Sequence, residues 1–140
     1  MSTYTTLAKD NPRSIELELS AEGKSNITVT PPPEFKGSAT EWSPEDLFSA
    51  SISTCFLLTF KVLASFKRLT WEELEVKAVA HLEKTSTGFK FTRVDIKPKI
   101  KLTRDANVDL YIKLFEKAKN TCLVTQSMNC EFHVEPMFVK

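Results

Sequence analysis

Apolar and charged residues alternate early in the chain. Ile15, Leu17 and Leu19 share one side of residues 14–20, and Glu16 and Glu18 the other. Period two predicts a half-buried strand. Residues 26–30 predict a second strand, reached through the turn-like Ala21-Glu22-Gly23-Lys24, so the two form a hairpin. Pro31-Pro32-Pro33 cannot extend a ladder, because proline has no backbone N–H to donate. Residues 31–42 are therefore expected as a loop.

The pattern then changes. From Leu47 to Phe66 nearly every position is apolar or small, and Lys61 carries the only charge. Ser43 suits an N-cap, Pro44 the first helical position, and Glu45 and Asp46 the positive end of a helix dipole. Lys67 and Arg68 suit the negative end. One long helix over residues 43–67 is expected. The apolar stretch matches a bilayer span in length. Ser49, Ser51, Ser53, Thr54, Thr59 and Ser65 dilute its hydropathy, however. The rest of the chain reads as amphipathic elements, so a buried axis is expected and a membrane partner is not.

Period two returns with Leu74, Val76, Ala78, Ala80 and Leu82 set against Glu75, Lys77, Val79, His81 and Glu83. Beyond a turn at 85–88, Phe89 and Phe91 hold one phase, and Val94, Ile96, Pro98, Ile100 and Leu102 the other. That slip predicts a β-bulge near Thr92 and Arg93. Pro98 marks an edge or bulged position. Val108, Tyr111, Leu114, Phe115 and Ala118 share one face of a helix over 108–119. Thr121 is expected to cap a short third helix beginning near Cys122, and one strand is expected to close the chain over 130–139. The order predicts an α+β fold in one domain over residues 1–140, with mainly antiparallel strands wrapped around a long central helix.

Composition narrows the partners. The 140 residues carry a net charge of +1 with no cluster of Lys and Arg, so a nucleic-acid partner is not expected. The first twenty residues lack an apolar signal core and carry Asp10, Glu16 and Glu18. Three cysteines are too few for a disulfide scaffold. A cytoplasmic setting is expected, where a reversible disulfide is more readily catalytic than structural.

The chemistry concentrates on Cys55 and Cys122, which lie too far apart in sequence for a CxxC motif or a metal hook. The spacings of Cys122, Cys130 and His133 do not fit zinc, so no metal or other cofactor is expected. Each cysteine also reads as a small core hydrophobe, most readily Cys130, which lies in an apolar phase. A Cys55 thiolate requires a nearby positive charge, and its own helix offers none within a turn. Cys122, in the first turn of a short helix, would have backbone N–H groups to hold a thiolate. Glu45 precedes Cys55 by ten residues, which is about 15 Å along a straight helix. The two meet only if the helix breaks or if two copies run antiparallel. By itself Glu45 is equally an acid favoured at a helix start. His81 and His133 lie in polar phases, and a hydrolase or transferase pairing Cys55 with one of them stays open.

The motif Ser43-Pro44-Glu45-Asp46-Leu47 before Cys55, and the helix Phe115-Glu116-Lys117-Ala118-Lys119-Asn120-Thr121 before Cys122, resemble the OsmC/Ohr family of thiol-dependent hydroperoxide reductases. The likeness covers roughly residues 14 to 139. It implies an OsmC-like intertwined homodimer. It implies a peroxidase acting on organic or hydrogen peroxides, with Cys55 as peroxidatic thiol and Cys122 as resolving thiol. A dithiol reductant, a lipoyl protein or another thiol, would complete the cycle. Glu45 would orient an arginine from the N-terminal strands. Arg13 is the only arginine before the long helix. The chain departs from the family pattern in lacking glycines around that arginine. It also has Leu123 for a proline, and Thr125-Gln126 for Ser-Asn. Phe35, Trp42, Phe48 and Phe56 are candidates for lining an apolar substrate pocket. A non-catalytic, stress-related small-molecule-binding protein on the same fold is the alternative.

Overall fold

The computed structural model describes residues 1–139, in two compact units, Met1–Phe48 and Ser49–Lys140. In the first unit, β1 (Leu7–Asp10), β2 (Leu17–Ser20) and β3 (Ile27–Val29) form an antiparallel sheet in that order. Leu7 lies opposite Ser20, and Leu17 opposite Val29. The β2–β3 hairpin matches the sequence reading. β1 has no counterpart in that reading, because all four of its residues are exposed and leave no apolar alternation. Its pairing comes from the ladder with β2. Gly23, at φ 77°, supplies the left-handed turn between β2 and β3.

The proline-rich loop is ordered by backbone contacts. Pro33–Phe35 form a short 3-10 turn. Gly37 approaches the Pro31 carbonyl so closely that any side chain would overlap it. Thr30 donates its N–H to the Trp42 carbonyl at 2.9 Å, which carries the chain to the next helix.

That helix, α1, runs unbroken over Pro44–Phe66. Ser43 Oγ accepts the Asp46 N–H at 3.1 Å, and the Asp46 carboxylate accepts the Ser43 N–H at 2.9 Å and its hydroxyl at 3.0 Å. This reciprocal box satisfies N–H groups that the first turn cannot bond internally. At the other end Arg68 turns left-handed, at φ 54°, and the Leu69 N–H closes on the Ala64 carbonyl at 3.0 Å.

The second unit is built on a long antiparallel hairpin, β4 (Glu73–Thr85) and β5 (Gly88–Lys101). His81 opposes Arg93 while Leu82 opposes Phe91, so Thr92 is the extra residue of a bulge where the phase slip predicted one. The remaining elements are α2 (Val108–Thr121), α3 (Leu123–Gln126), β6 (Glu131–Val134) and β7 (Met137–Val139). One correction arises here. The single closing strand is two strands, interrupted at Glu135 and Pro136, and both run parallel to β5. Pro98 sits on β5 in the gap between the β6 and β7 pairings, an edge position where its missing N–H is tolerated.

The core of this unit joins one row of α1 (Ile52, Phe56, Phe60 and Ala64) to Val94, Ile96 and Ile100 of β5 and to Tyr111, Leu114, Phe115 and Ala118 of α2. Phe60 stacks on Phe115 with centroids 4.4 Å apart and tilts against Trp71 at 5.4 Å. Each such buried side chain contributes about 1.5–3 kcal/mol. Tyr111 carries its hydroxyl into the same packing by donating to the Thr70 carbonyl at 2.6 Å. The opposite row of α1 is uncovered: Leu58, Val62 and Phe66 are 62%, 55% and 80% exposed.

Candidate active site

Cys55 sits beside the buried row of α1, one residue before Phe56, and is half-buried. Cys122 lies where α2 ends and α3 begins, and is fully buried. Its N–H closes α2 on the Ala118 carbonyl at 2.8 Å, and its carbonyl accepts the Gln126 N–H at 3.0 Å. The packing of Phe56 and Phe60 against Phe115 clamps α1 to α2. The fold thereby brings the two cysteines, separated by nearly half the chain, close enough for each thiol to act on the other's ionisation.

The pair is electrically asymmetric. Burial and the hydrogen bond with Cys122 push the Cys55 thiol above the usual cysteine range, against the Val124 N–H and the Thr59 hydroxyl. Burial also acts upward on Cys122. There it is outweighed by the hydrogen bond from Cys55 and by the Thr125 N–H, the Thr125 hydroxyl and the Val124 N–H, so the thiol lies below the usual range. These contacts are electrostatic in reach, since no cap hydrogen bond of ordinary geometry is made by the Cys122 side chain. Among the described residues, no lysine or arginine is one of the main influences on Cys55. The expected cap assignment also changes. Thr121 ends α2, with its hydroxyl on the Lys117 carbonyl at 2.8 Å, and Cys122 itself is the N-cap of α3.

Thr125 is a site residue that sequence reasoning passed over. It is buried, and its hydroxyl lies 2.9 Å from the Lys119 carbonyl and 3.0 Å from that of Cys122. The available signal was a hydroxyl residue one turn beyond a cysteine.

Glu45 and Arg13 belong to the first unit. Glu45 lines a cavity of about 300 Å³ with Ile15, Leu17, Val29, Pro31 and Phe35. Its Oε1 is buried and has no hydrogen-bond partner among the described residues. Arg13 lies in the turn between β1 and β2, exposed, with its backbone N–H on Asn11 Oδ1 at 3.2 Å. Its side chain makes no ion pair among the described residues, so within this unit the two are not joined. Because α1 is unbroken, Glu45 and Cys55 remain ten residues apart on one helix. Of the four candidate pocket aromatics, Phe35 lines the Glu45 cavity, whereas Phe56 is core.

Cys130 lies half-buried just before β6, outside the core expected for it, with its thiol pushed up by burial. The histidines take other roles. His81 Nε2 is 2.7 Å from Asp95 Oδ2, and Arg93 Nε is 3.2 Å from Asp95 Oδ1. The hydrogen bond from His81 is the main reason that the Asp95 carboxyl lies below its usual range. His133 Nε2 lies 3.4 Å from Glu131. Among the described residues, His81 is engaged by Asp95 and His133 by Glu131, and neither histidine is a main influence on either sulfur, which does not favour a cysteine hydrolase. Among the described residues, no group of three or more His, Cys, Asp or Glu could hold a metal ion.

Residues 36–136, which include Glu45, Cys55 and Cys122, match the family of OsmC-like proteins. The chain belongs to the OsmC-like family. The uncharacterized protein YmaD of Bacillus subtilis (strain 168) is 23% identical over 113 residues, 77% of this chain and 75% of that one. An OsmC-like protein of unknown function from Vibrio cholerae has the same fold, with a TM-score of 0.89 at 22% identity over 98% of this chain and 100% of that one. An organic hydroperoxide resistance protein from Legionella pneumophila superposes with a TM-score of 0.75 at 23% identity over the whole of both chains. The α+β OsmC-like architecture expected from the sequence is thus found. Its kinship with hydroperoxide resistance proteins frames the chemistry of the cysteine pair.

Proposed function

We propose that this OsmC-like protein reduces peroxides, organic ones in particular, through a cycle between Cys55 and Cys122. The observation that carries this reading is the proximity of two thiols so distant in sequence, each acting on the other's ionisation. In the cycle, the Cys55 thiolate attacks the outer oxygen of the peroxide. The O–O bond breaks, the leaving alkoxide takes a proton and departs as alcohol, and Cys55 becomes a sulfenic acid. Cys122, already poised as the more acidic thiol, then attacks the Cys55 sulfur. Water leaves and the disulfide closes. A dithiol, lipoyl-bound or otherwise, restores both thiols by exchange.

Burial holds Cys55 protonated, so the first step needs a cation. We assign that part to Arg13, oriented by the Glu45 carboxylate, whose buried Oε1 has no hydrogen-bond partner among the described residues. The uncovered row Leu58, Val62 and Phe66 supports a homodimer in which a second α1 runs antiparallel to the first. That arrangement gives Glu45 of one copy a route to Cys55 of the other. The cytoplasm, which keeps thiols reduced, is the proposed setting.

The test is to treat the reduced protein with cumene hydroperoxide and to map cysteine states by mass spectrometry. A Cys55–Cys122 disulfide is expected, with sulfenic acid trapped on Cys55 in a Cys122→Ser variant. Cys55→Ser should consume no peroxide. Full consumption by both variants would refute the cycle. Unoxidised thiols in the unmutated protein would favour a non-catalytic binding protein. Arg13→Ala should slow the first oxidation step, and an unchanged rate would remove Arg13 from the site.

A further inference from the structure

We propose that the Cys55–Cys122 disulfide opens in one direction only: the incoming thiolate attacks Cys55, and Cys122 leaves. This inference rests on the two-cysteine reading above and deepens its reductive half. Two independent features of the pair agree on the direction. The first is access. Cys55 is half-buried, whereas Cys122 is wholly enclosed at the junction of α2 and α3. A thiolate must approach along the S–S axis, on the side of the attacked sulfur away from the leaving one, so only an accessible sulfur can be attacked. The second feature is the fate of the electron pair. The N–H groups of Thr125 and Val124 favour charge on the Cys122 sulfur. Cys55 has only the Val124 N–H and the Thr59 hydroxyl to lower the cost of its charge. The sulfur better held as a thiolate is the faster leaving group.

One thiolate of a dithiol reductant forms a bond to Cys55 Sγ as the Cys55–Cys122 bond breaks, and the electron pair passes to Cys122 Sγ. The reductant's second thiolate then attacks its own sulfur within the mixed disulfide, which releases Cys55 and closes the reductant's disulfide. The dithiol gives up two electrons, and its two protons end on Cys55 and Cys122. Thr125 acts as a positioning residue: its hydroxyl donates to the Lys119 carbonyl at 2.9 Å and to the Cys122 carbonyl at 3.0 Å, which fixes the α2–α3 bend and holds its backbone N–H where it favours charge on Cys122. The reductant therefore needs to reach Cys55 alone and never the α2–α3 junction.

The experiment uses the full chain, oxidised with diamide so that no peroxide chemistry is involved. The disulfide form is mixed briefly with 2-mercaptoethanol, a monothiol that cannot complete the second step. It is then quenched in acid, labelled with N-ethylmaleimide and mapped by mass spectrometry. The mixed disulfide should lie on Cys55 in about tenfold or greater excess over Cys122, since access and leaving-group stability act together. Comparable amounts on the two, or an excess on Cys122, would overturn the inference. Thr125→Val should slow the exchange severalfold and Thr125→Ser should restore it; equal rates in all three proteins would remove Thr125 from the step. If diamide forms no Cys55–Cys122 disulfide, the inference and the two-cysteine cycle fall together. If it forms and opens on Cys55 while peroxide is not consumed, only the peroxidase reading fails.

Discussion

Oxidation of Cys55 and Cys122 should stabilise the protein strongly, and the size of the effect tests the site's geometry. The two thiols are near neighbours in the reduced fold, each acting on the other's ionisation, so a bond of about 2 Å is expected to form without large backbone movement. The bond closes a loop that spans nearly half the chain. On the chain-entropy account a loop of that length costs the unfolded state about 4 kcal/mol. Closure gives up the thiol–thiol hydrogen bond, about 1 kcal/mol or less. The difference, about 3 kcal/mol, should raise Tm by on the order of 10 °C for a chain of this size. The assay is scanning calorimetry of the diamide-oxidised protein and of the same protein in a phosphine reductant. Protein concentration must be held fixed, because any oligomer makes Tm concentration-dependent. Cys55→Ser, treated alike, should show no shift. An oxidised form with a verified Cys55–Cys122 bond and an unchanged or lower Tm would refute the premise that the native fold holds the sulfurs ready to join.

Three further perturbations test other parts of the structure. Phe60→Ala should destabilise the protein by about 3–5 kcal/mol in urea titration, because Phe60 is fully buried between Phe115 and Trp71; a loss below about 1 kcal/mol would contradict that packing. Asp95 has a folded pKa below its ordinary value, so it stabilises the fold above about pH 4 and loses that contribution as pH falls through the lower folded value. Asp95→Asn should thus flatten the acid limb of the stability profile, and parallel profiles for the two proteins would refute the link. Leu58→Glu combined with Val62→Lys alters only exposed positions of α1 and should yield a folded monomer by sedimentation, whereas a persistent dimer would place the interface elsewhere.

Much of the fold was legible because its signals are local. The Ser43–Asp46 box, the phase slip at Thr92 and the turn at Gly23 depend on neighbours within a few residues. The parallel pairing of β6 and β7 with β5 was not legible, because alternation marks a strand without marking its direction or partner. β1 was hidden for a related reason: an exposed strand held only by its ladder leaves no apolar trace. α1 shows the opposite limit. Its uniformly apolar sequence does not reveal which row faces its own core, and the structure divides it into a buried Ile52–Phe56–Phe60 row and an exposed Leu58–Val62–Phe66 row. A charge at Ile52 would therefore break the subunit's own core, whereas one at Leu58 tests the partner surface. At the site, Cys55 and Cys122 could be singled out from the sequence, but not the balance of charge between them. That balance depends on donors at Val124 and Thr125 that only the bend after α2 turns toward Cys122.

The chain's departures from its family's pattern around Cys122 can be weighed in the same terms. Leu123, standing where the family pattern has proline, is the first residue of α3. Proline is tolerated at such a position because the first N–H of a helix has no partner within it. A leucine there forfeits preorganisation of φ, but the turn still forms, with the Gln126 N–H on the Cys122 carbonyl at 3.0 Å. Leu123 points its side chain outward, 72% exposed, and takes no space from the cysteine. Thr125, for serine, keeps both the N–H and the hydroxyl that act on Cys122 and adds a methyl group within a buried position. Neither change removes a donor from the sulfur. The replacement around Arg13 differs in kind: without flanking glycines its turn has fewer accessible backbone conformations, and its side chain stands in solvent. On the proposed cycle, the second thiol thus keeps the donors around it, and the cation proposed for Cys55 is the one residue whose surroundings have changed most.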